Sequence, residues 1–128
     1  MSIHQEITYQ CSAQRVFEAL TNAQQFGELT GATAEINPEA GGKFLCFDGM
    51  ISGISIEIVL YKRLVQAWRV GNWEPGIYSI VKFELEEMSA SETKLVFDHK
   101  GFPETYKADL EQGWHNKYWE PMRKYLDA

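Results

Sequence analysis

The segment GFPETYKADLEQGWHNKYWEPMRKYLDA, residues 101–128, decides the fold of this chain. Large apolar side chains recur in it every three or four residues, the spacing of one face of an amphipathic helix. These side chains are Tyr106, Leu110, Trp114, Tyr118, Met122 and Tyr125. Pro103 suits the first turn of such a helix, whereas Pro121 lies inside it and is expected to kink it or remove a hydrogen bond. The pattern predicts a long C-terminal helix with one apolar face.

Gly113 lies directly before Trp114 on this predicted helix. A residue without a side chain lets the helix backbone approach whatever surface it packs on. We therefore expect helix and sheet to lie closest at Gly113, and a Gly113→Leu substitution to destabilise the protein by roughly 1–3 kcal/mol through overpacking.

Residues 31–101 carry a different pattern, in which Gly, Pro, Asn and Asp separate runs of β-branched and aromatic residues with period two. Such runs predict a meander of antiparallel strands, and the DG pair at 48–49 predicts a tight hairpin turn. One face of each strand should then be apolar and covered by the C-terminal helix. The side chains predicted to form this interior face are Ile54, Ile56, Phe83, Leu85, Leu95 and Phe97.

The first thirty residues complete the order of elements. IHQEITYQ, residues 3–10, alternates as a strand does, and Ser12 can cap a first short helix. Thr21 or Asn22 can cap a second one. The order predicts an α+β fold of the helix-grip type over a single domain, residues 1–128. In this fold a curved antiparallel sheet wraps round a long C-terminal helix, and two short helices follow the first strand.

The charge balance argues against a nucleic-acid partner. Twelve Lys and Arg stand against eighteen Asp and Glu, a formal net charge of -6, and the positive residues form no cluster that could attract a phosphate backbone. The chain has no long apolar run and no signal-peptide pattern, so we expect a cytoplasmic protein with no membrane association. Cys11 and Cys46 lie far apart and outside any CxxC pattern, which favours reduced, buried thiols and no metal or other cofactor.

His99 and Asp98 are the one pair that could suggest acid–base chemistry. Neighbours on a strand point to opposite faces, so the two side chains cannot form a local dyad. A histidine near a core is more often simply hydrogen-bonded. No nucleophile elbow, HExxH pair or phosphate-binding glycine loop occurs either. We therefore expect a protein that is not an enzyme and has no catalytic residue.

Aromatic residues on the predicted interior faces allow two interpretations. They can fill the space between helix and sheet as an ordinary core. Alternatively, they can line a cavity for a small apolar or aromatic molecule, which a few polar groups would orient. The candidate cavity residues are Phe44, Cys46, Ile56, Trp68, Phe83, His99, Trp114 and Tyr118.

Arg69 and Trp73 are candidates for a different role. Arg69 faces away from Trp68 on its strand, and Trp73 lies in the loop NWEPG, residues 72–76. Exposed aromatic and arginine residues are favoured in protein interfaces, so these two could contact a protein partner. The alternative for Arg69 is a solvated or salt-bridged surface arginine.

Several segments together carry a resemblance to a known family. SAQRVFEALTNAQQF, residues 12–26, resembles the opening of the START-like (SRPBCC) superfamily. Six further segments resemble, in order and spacing, the C-terminal-type domain of the activator of heat-shock-protein-90 ATPase homologue family. They are GGKF, LVQAWR, NWEPG, VKFELEE, TKLVFDHKGFPE and GWHNKYWEPMRKYL. The likeness covers nearly the whole chain.

This resemblance implies a helix-grip fold, a link to the stress response and three alternatives for function. The first is binding of a small hydrophobic ligand in a cavity. The second is a protein-interaction module, with a heat-shock-protein-90 chaperone as partner. The third is an enzyme of the polyketide cyclase type. The chain has no counterpart of the co-chaperone's N-terminal activating domain, so we expect weak chaperone binding or none, by a monomer or a homodimer.

Overall fold

Seven antiparallel strands form one sheet in the computed structural model, which describes residues 2–127. The strands are β1 (Ser2–Tyr9), β2 (Glu35–Ile36), β3 (Lys43–Cys46), β4 (Ile51–Val59), β5 (Arg63–Val70), β6 (Ser79–Ser89) and β7 (Glu92–Lys100). They lie in the order β1-β7-β6-β5-β4-β3-β2. Neighbouring strands are therefore mostly neighbours in sequence, as in a meander, and β1 closes the sheet against β7.

Three helical regions cover one face of this sheet. Helices α1 (Ala13–Thr21) and α2 (Ala23–Thr30) follow β1. After β7, a 3₁₀ turn (Glu104–Tyr106) leads into α3 (Lys107–Gly113), a π-helical turn (Trp114–Trp119) and α4 (Glu120–Leu126). We call the continuous stretch 107–126 the C-terminal helix. The predicted helix-grip fold is confirmed. No helix within residues 2–127 is both long enough and apolar enough to cross a membrane.

Side-chain caps determine where the two short helices begin. The Ser12 hydroxyl accepts a hydrogen bond from the Arg15 amide at 3.3 Å, as predicted. Asn22, one of the two residues considered for the second cap, accepts from the Gln25 amide at 2.9 Å. The Asn22 amide also donates to the Glu18 carbonyl, so this one residue ends α1 and begins α2.

Strands β6 and β7 supply the interior face that their alternation predicts. Phe83 and Leu85 on β6 are buried, and so are Leu95, Phe97 and His99 on β7. Phe83 pairs with Phe97 and Leu85 with Leu95 across the two strands. Because paired residues share a face of the sheet, these side chains form one apolar surface beneath the C-terminal helix.

Strand β4 contradicts the prediction for its own interior face. Ile54 is 39% exposed and Ile56 is 50% exposed, on the outer side of the sheet. Gly53 and Ser55 face inward instead, opposite Trp68 and Gln66 of β5. The apolar content of the strand suggested the opposite face, because small inward residues give no hydrophobic signal.

A β-bulge at Ile56 adds to this difference. The pairing with β5 passes from Ser55 opposite Gln66 directly to Glu57 opposite Val65, which leaves Ile56 without a partner. One unpaired residue exchanges the faces of all residues that follow it. Ile58 consequently turns toward the core, where it is half-buried.

Gly53 shows why the inward positions of β4 are small. A Cβ atom at this position would overlap the Ala67 carbonyl oxygen, and it would lie 2.7 Å from the Phe44 ring. The backbone of β5 at Ala67 and the Phe44 ring of β3 thus occupy the volume that a side chain at position 53 would need. The core here is built by the neighbouring strands rather than by β4.

The C-terminal helix buries more side chains than a regular helix with the predicted stripe would. Leu110, Trp114, Tyr118 and Met122 are buried as predicted, but Trp119 and Leu126 are buried too, while Tyr106 and Tyr125 are only half-buried. The wider π turn shifts the helical register, so that Tyr118 and Trp119 both face the core. The turn ends two residues before Pro121, which has no N–H to donate.

The predicted close approach at Gly113 is wrong. A Cβ atom at this position would meet no atom within 4 Å. The backbone there is helical, with φ −63 and ψ −41, so a side chain would be sterically and conformationally acceptable. The space beside Gly113 is open to a Cβ atom, so the close contact from which overpacking was expected is absent.

The same substitution at these two glycines should have opposite effects on stability. We expect Gly53→Ala to lower the free energy of unfolding by roughly 1–3 kcal/mol, because Ala67 and Phe44 must move to make room. Gly113→Ala should raise it by up to about 1 kcal/mol, because alanine favours helix and meets open space. Urea unfolding of both variants measures this difference. Equal effects would show that the environment of one glycine is assigned wrongly.

Candidate functional site

An open pocket of about 310 Å³ lies where the C-terminal helix passes the adjoining ends of β4 and β5. Its lining comes from three places: the helix, the two strand ends, and the connections around them. The lining residues are Phe47, Met50, Ile51, Trp68, Val70, Asn72, Trp73, Tyr106, Asp109, Leu110, Gly113, Trp114, Lys117 and Tyr118. The open space beside Gly113 is therefore part of this pocket.

Six of the fourteen lining residues of the pocket are aromatic. The Trp68 ring lies 5.0 Å from that of Trp114 and 5.9 Å from that of Trp73, measured between centroids. Trp73 in turn stacks on Tyr106 at 6.3 Å, and Trp114 lies 4.3 Å from Tyr118. Because each ring is held by another, the wall is largely formed before any ligand arrives.

Polar side chains are confined to a few positions of this lining. Asn72 lies in the loop after β5, and Asp109 and Lys117 lie on the C-terminal helix. A few polar groups in an apolar pocket are what orients a bound molecule. The arrangement suits a ligand with an apolar or aromatic body and one polar end.

His99 lies outside this lining and holds one of its walls in place. Its Nδ1 atom accepts a hydrogen bond from the Trp114 indole N–H at 3.0 Å. Its Nε2 atom lies 2.7 Å from the Ser79 hydroxyl, which itself donates to the Trp68 carbonyl at 2.8 Å. The network thus connects the side chain of Trp114 with the backbone of Trp68.

These bonds determine the protonation state of His99. An indole N–H can only donate, so Nδ1 must be unprotonated, and Nε2 carries the proton that is donated to Ser79. The side chain is fully buried, and burial lowers the pKa of His99 from 6.5 to about 3. His99 is therefore a neutral structural histidine, as expected for a hydrogen-bonded group in a core. Asp98 faces outward, as predicted, and bonds to His4 at 2.7 Å.

A second space between helix and sheet is almost filled. It measures about 10 Å³ and is bordered by Phe44, Cys46, Phe83 and Tyr118, among others. A volume of this size is at most that of one water molecule. These residues form packed core, so the ordinary-core interpretation describes this half of the predicted cavity.

The structure divides the eight predicted cavity residues into three groups. Trp68, Trp114 and Tyr118 line the open pocket. Phe44, Cys46, Phe83 and His99 are buried behind it. Ile56 follows the inward Ser55 on β4 and therefore faces outward, as Ile54 does, so its assignment to the interior is wrong.

The two residues predicted to contact a partner have other positions. Trp73 is only 4% exposed and forms part of the pocket wall, so it is not an exposed contact residue. Arg69 is half-buried and has no ion-pair partner within residues 2–127. Its guanidinium instead donates to the carbonyls of the loop that carries Trp73.

Sequence reasoning missed the part of the pocket that the C-terminal helix and the turn before it contribute. Tyr106, Asp109, Leu110, Gly113 and Lys117 share one side of the helix at helical spacing. The spacing predicts a helix face packed against the sheet, whereas the structure leaves this part of it beside open space. Phe47, Met50 and Asn72 lie in turns, where no periodic pattern marks them.

Interior groups that could ionise are held in their neutral forms. Burial raises the pKa of Cys46 to about 12 and also raises the pKa of Tyr118 and of Cys11. Residues 2–127 contain no group of three or more His, Cys, Asp or Glu side chains placed to hold a metal ion. The two thiols and the Tyr118 phenol are thus neutral groups of the core.

Comparison with known proteins gives one family over nearly the whole chain. The family model described as "Activator of Hsp90 ATPase homolog 1-like protein" matches residues 10–127. The mouse activator of 90 kDa heat shock protein ATPase homolog 2 is 24% identical over 127 residues, 99% of this chain. The human homolog 1 is 26% identical over 117 residues, 91% of this chain. The chain spans only 38% and 34% of these two relatives.

A solved structure matches over almost its full length. The crystal structure of a protein described as an HSP90 activator from Plasmodium falciparum superposes with a TM-score of 0.92 and is 27% identical. The match covers 99% of this chain and 96% of that one.

The neutral state of His99 predicts a specific pH dependence of stability. The unfolded chain binds a proton at this position below pH 6.5, and the folded chain binds it only near pH 3, so stability falls as the pH falls between these values. From pH 6.5 to pH 4 we expect wild type to lose about 3 kcal/mol more than His99→Gln, which cannot titrate. Urea unfolding at several pH values measures this.

His4 provides a control of opposite sign. Hydrogen bonds to Asp98 and Glu6 raise the pKa of His4, so its contribution to stability is present below pH 6.5 and lost as the pH rises through the folded pKa. His4→Gln should thus lose stability in acid relative to wild type. Identical acid sensitivity of wild type and His99→Gln would show that His99 is charged in the fold.

Proposed function

Because the chain belongs to the family of activator of Hsp90 ATPase homolog 1-like proteins and carries an open aromatic pocket, we propose that it is a non-enzymatic binding domain for a small apolar or aromatic molecule. The pocket beside Gly113 is the observation that supports this proposal. Its ligand would lie between the C-terminal helix and the ends of β4 and β5.

The size and chemistry of the pocket suit one small planar molecule. A volume of about 310 Å³ lies at the lower end of the range for ligand sites in proteins. Trp68, Trp73 and Trp114 line the pocket although each is at most 4% exposed, so an aromatic ligand would pack against the small part of each indole that borders the opening, at about 0.5–1.5 kcal/mol per contact beyond its buried area. A polar end of the ligand can reach Asn72 or Lys117.

The chemistry of the interior favours binding over catalysis. A nucleophilic or acid–base mechanism needs a titratable group within hydrogen-bond reach of the substrate. His99 uses both ring nitrogens in bonds to Trp114 and Ser79, and burial holds the Cys46 thiol protonated. Asn72, Asp109 and Lys117 remain in the pocket lining, where their polar groups can orient a ligand.

A leucine at position 113 should block the pocket. Gly113→Leu places a branched side chain in open space, so we expect it to weaken binding of naphthalene and of anilinonaphthalene sulfonate by at least about tenfold while the protein remains folded. Quenching of tryptophan fluorescence and the fluorescence of the sulfonate measure the two affinities. Gly113 is preferable to Trp114 for this test, because removing Trp114 leaves the buried His99 without its donor.

Two controls identify the binding position. Gly113→Ala adds a single methyl group and should reduce affinity much less than leucine does. Ile56→Ser removes an apolar side chain from the outer face of the sheet and should leave affinity unchanged. If Gly113→Leu binds both probes as wild type does, or if wild type binds neither, the small-molecule proposal fails.

Binding of an Hsp90 chaperone is the second candidate function. It is supported by the 27% identity to a structure described as an HSP90 activator, which the chain matches along 96% of that protein's length. The outer face of the sheet offers a contact surface. Ile54 of β4, Ala67 of β5 and Ile80 of β6 form a row across it, and both isoleucines are exposed. Exposed apolar patches of this kind often mark protein contacts.

We expect weak Hsp90 binding by the isolated chain, and no more than slight stimulation of ATP hydrolysis. Titration of the chain into an Hsp90 chaperone, with ATPase rate and calorimetric heat as readouts, measures both. Replacing Ile54 and Ile80 together by Glu should abolish the interaction, whereas Gly113→Leu should leave it intact. Strong stimulation at modest molar excess would overturn the expectation of weak binding, and no heat at high concentration would remove this candidate.

A further inference from the structure

The loop of residues 71–78, which we call the Trp73 loop, forms one wall of the pocket. Trp73 lies at its centre and packs edge-on against Trp68 and face-to-face with Tyr106, which precedes the C-terminal helix. The loop therefore spans the pocket from the strand side to the helix side. The position of its backbone determines where the Trp73 indole lies in the pocket wall.

Arg69 holds this backbone from the opposite face of β5. Its Nη2 atom donates to the Trp73 carbonyl at 2.8 Å, and its Nη1 atom donates to the Glu74 carbonyl at 3.1 Å and the Ile77 carbonyl at 3.5 Å. The guanidinium also lies 5.7 Å from the centroid of the Tyr78 ring, within cation–π range. One side chain thus contacts the loop at four of its residues.

The loop has few other attachments. Its first residue is tied to the turn before β4, since the Gly71 amide donates to the Met50 carbonyl at 2.7 Å, and beyond that its own backbone closes two turns, from the Trp73 amide to the Val70 carbonyl and from the Ile77 amide to the Glu74 carbonyl. Within residues 2–127, no other donor bonds to the Trp73 carbonyl. Turns fix local shape but not the position of the loop relative to the sheet. The planar guanidinium can fix that position, since its several N–H groups point in defined directions.

We propose that Arg69 is a positioning residue for the pocket. It touches no ligand, and it acts by holding the Trp73 loop so that the Trp73 indole completes the aromatic wall. Trp68 and Arg69 are adjacent on β5 and point to opposite faces of the sheet. On the inner face Trp68 forms part of the pocket wall, and on the outer face Arg69 holds the Trp73 loop. The proposal rests on the proposed small-molecule function for its consequence, but the clamp itself can be tested without a ligand.

Amide hydrogen exchange of the Trp73 loop tests the clamp directly. In Arg69→Met the amides of Trp73 and Ile77 should exchange at least about tenfold faster than in wild type, because the turns that protect them are no longer held on the sheet. Arg69→Lys, which can bond to only part of the set of carbonyls, should give an intermediate rate. Arg15→Met is the matched control: Arg15 also donates to a carbonyl, that of Leu126 at 3.1 Å, but far from the loop.

Probe affinity tests the consequence for the pocket. Arg69→Met should bind anilinonaphthalene sulfonate about tenfold more weakly, equivalent to about 1.4 kcal/mol, and Arg69→Lys should recover part of the loss. Arg15→Met should bind the probe as wild type does, even where its melting temperature falls as much. Tyr78→Leu keeps the three hydrogen bonds and should retain most of the affinity.

The outcomes separate the two proposals. Unchanged exchange at Trp73 and Ile77 in Arg69→Met would overturn the positioning role, whatever the affinities are. Unchanged probe affinity in that variant, with wild type binding the probe, would overturn it as well. Faster exchange together with a wild type that binds no probe would support the clamp and count against the proposed function alone.

Discussion

The packing of the Trp114 indole is the interaction on which the rest of the structure depends. The centroid of its ring lies 4.2 Å from that of Phe97 of β7, 4.3 Å from that of Tyr118 and 5.0 Å from that of Trp68 of β5. Its N–H donates to His99. A single side chain of the C-terminal helix thus contacts two strands and the next turn of its own helix. Large aromatic groups gain much of their stabilisation from such complete burial. The indole nitrogen, which would be costly to bury alone, is paired within the core.

This arrangement makes the core and the pocket share their walls. Trp68 is 3% exposed and Trp114 is 2% exposed, and the small exposed part of each side chain borders the open pocket. The π turn also affects this packing, because it directs both Tyr118 and Trp119 inward, where their rings fill the space between the C-terminal helix and the sheet. The pocket is left farther out, beside Gly113, where the helix has no side chain. A binding surface backed by a packed core needs little rearrangement to accept a ligand.

Alternation predicts the interior face correctly on β6 and β7 but not on β4, for a physical reason. On β6 and β7 the buried positions carry Phe, Leu and Val, so alternation indicated the interior face correctly. On β4 the buried positions are Gly53 and Ser55, while Ile54 and Ile56 face outward. At Gly53 the Phe44 ring and the Ala67 backbone of the neighbouring strands leave no room for a side chain. A hydrophobicity pattern reflects the side chains of the strand itself. It gives no information about the space that atoms of the neighbouring strands occupy.

By itself the sequence determined the order of elements, the helix-grip fold, the family resemblance and the outward direction of Asp98 relative to His99, because these follow from local periodicity and chain order. Only the tertiary structure decided which predicted cavity residues line open space. It placed Phe44, Cys46 and Phe83 in packed core, opened the pocket at Gly113 and turned Arg69 from an expected surface contact into the anchor of a loop. Whether a gap between two elements is filled depends on the register of the π turn, the bulge in β4 and the reach of side chains distant in sequence. No local pattern encodes those distances.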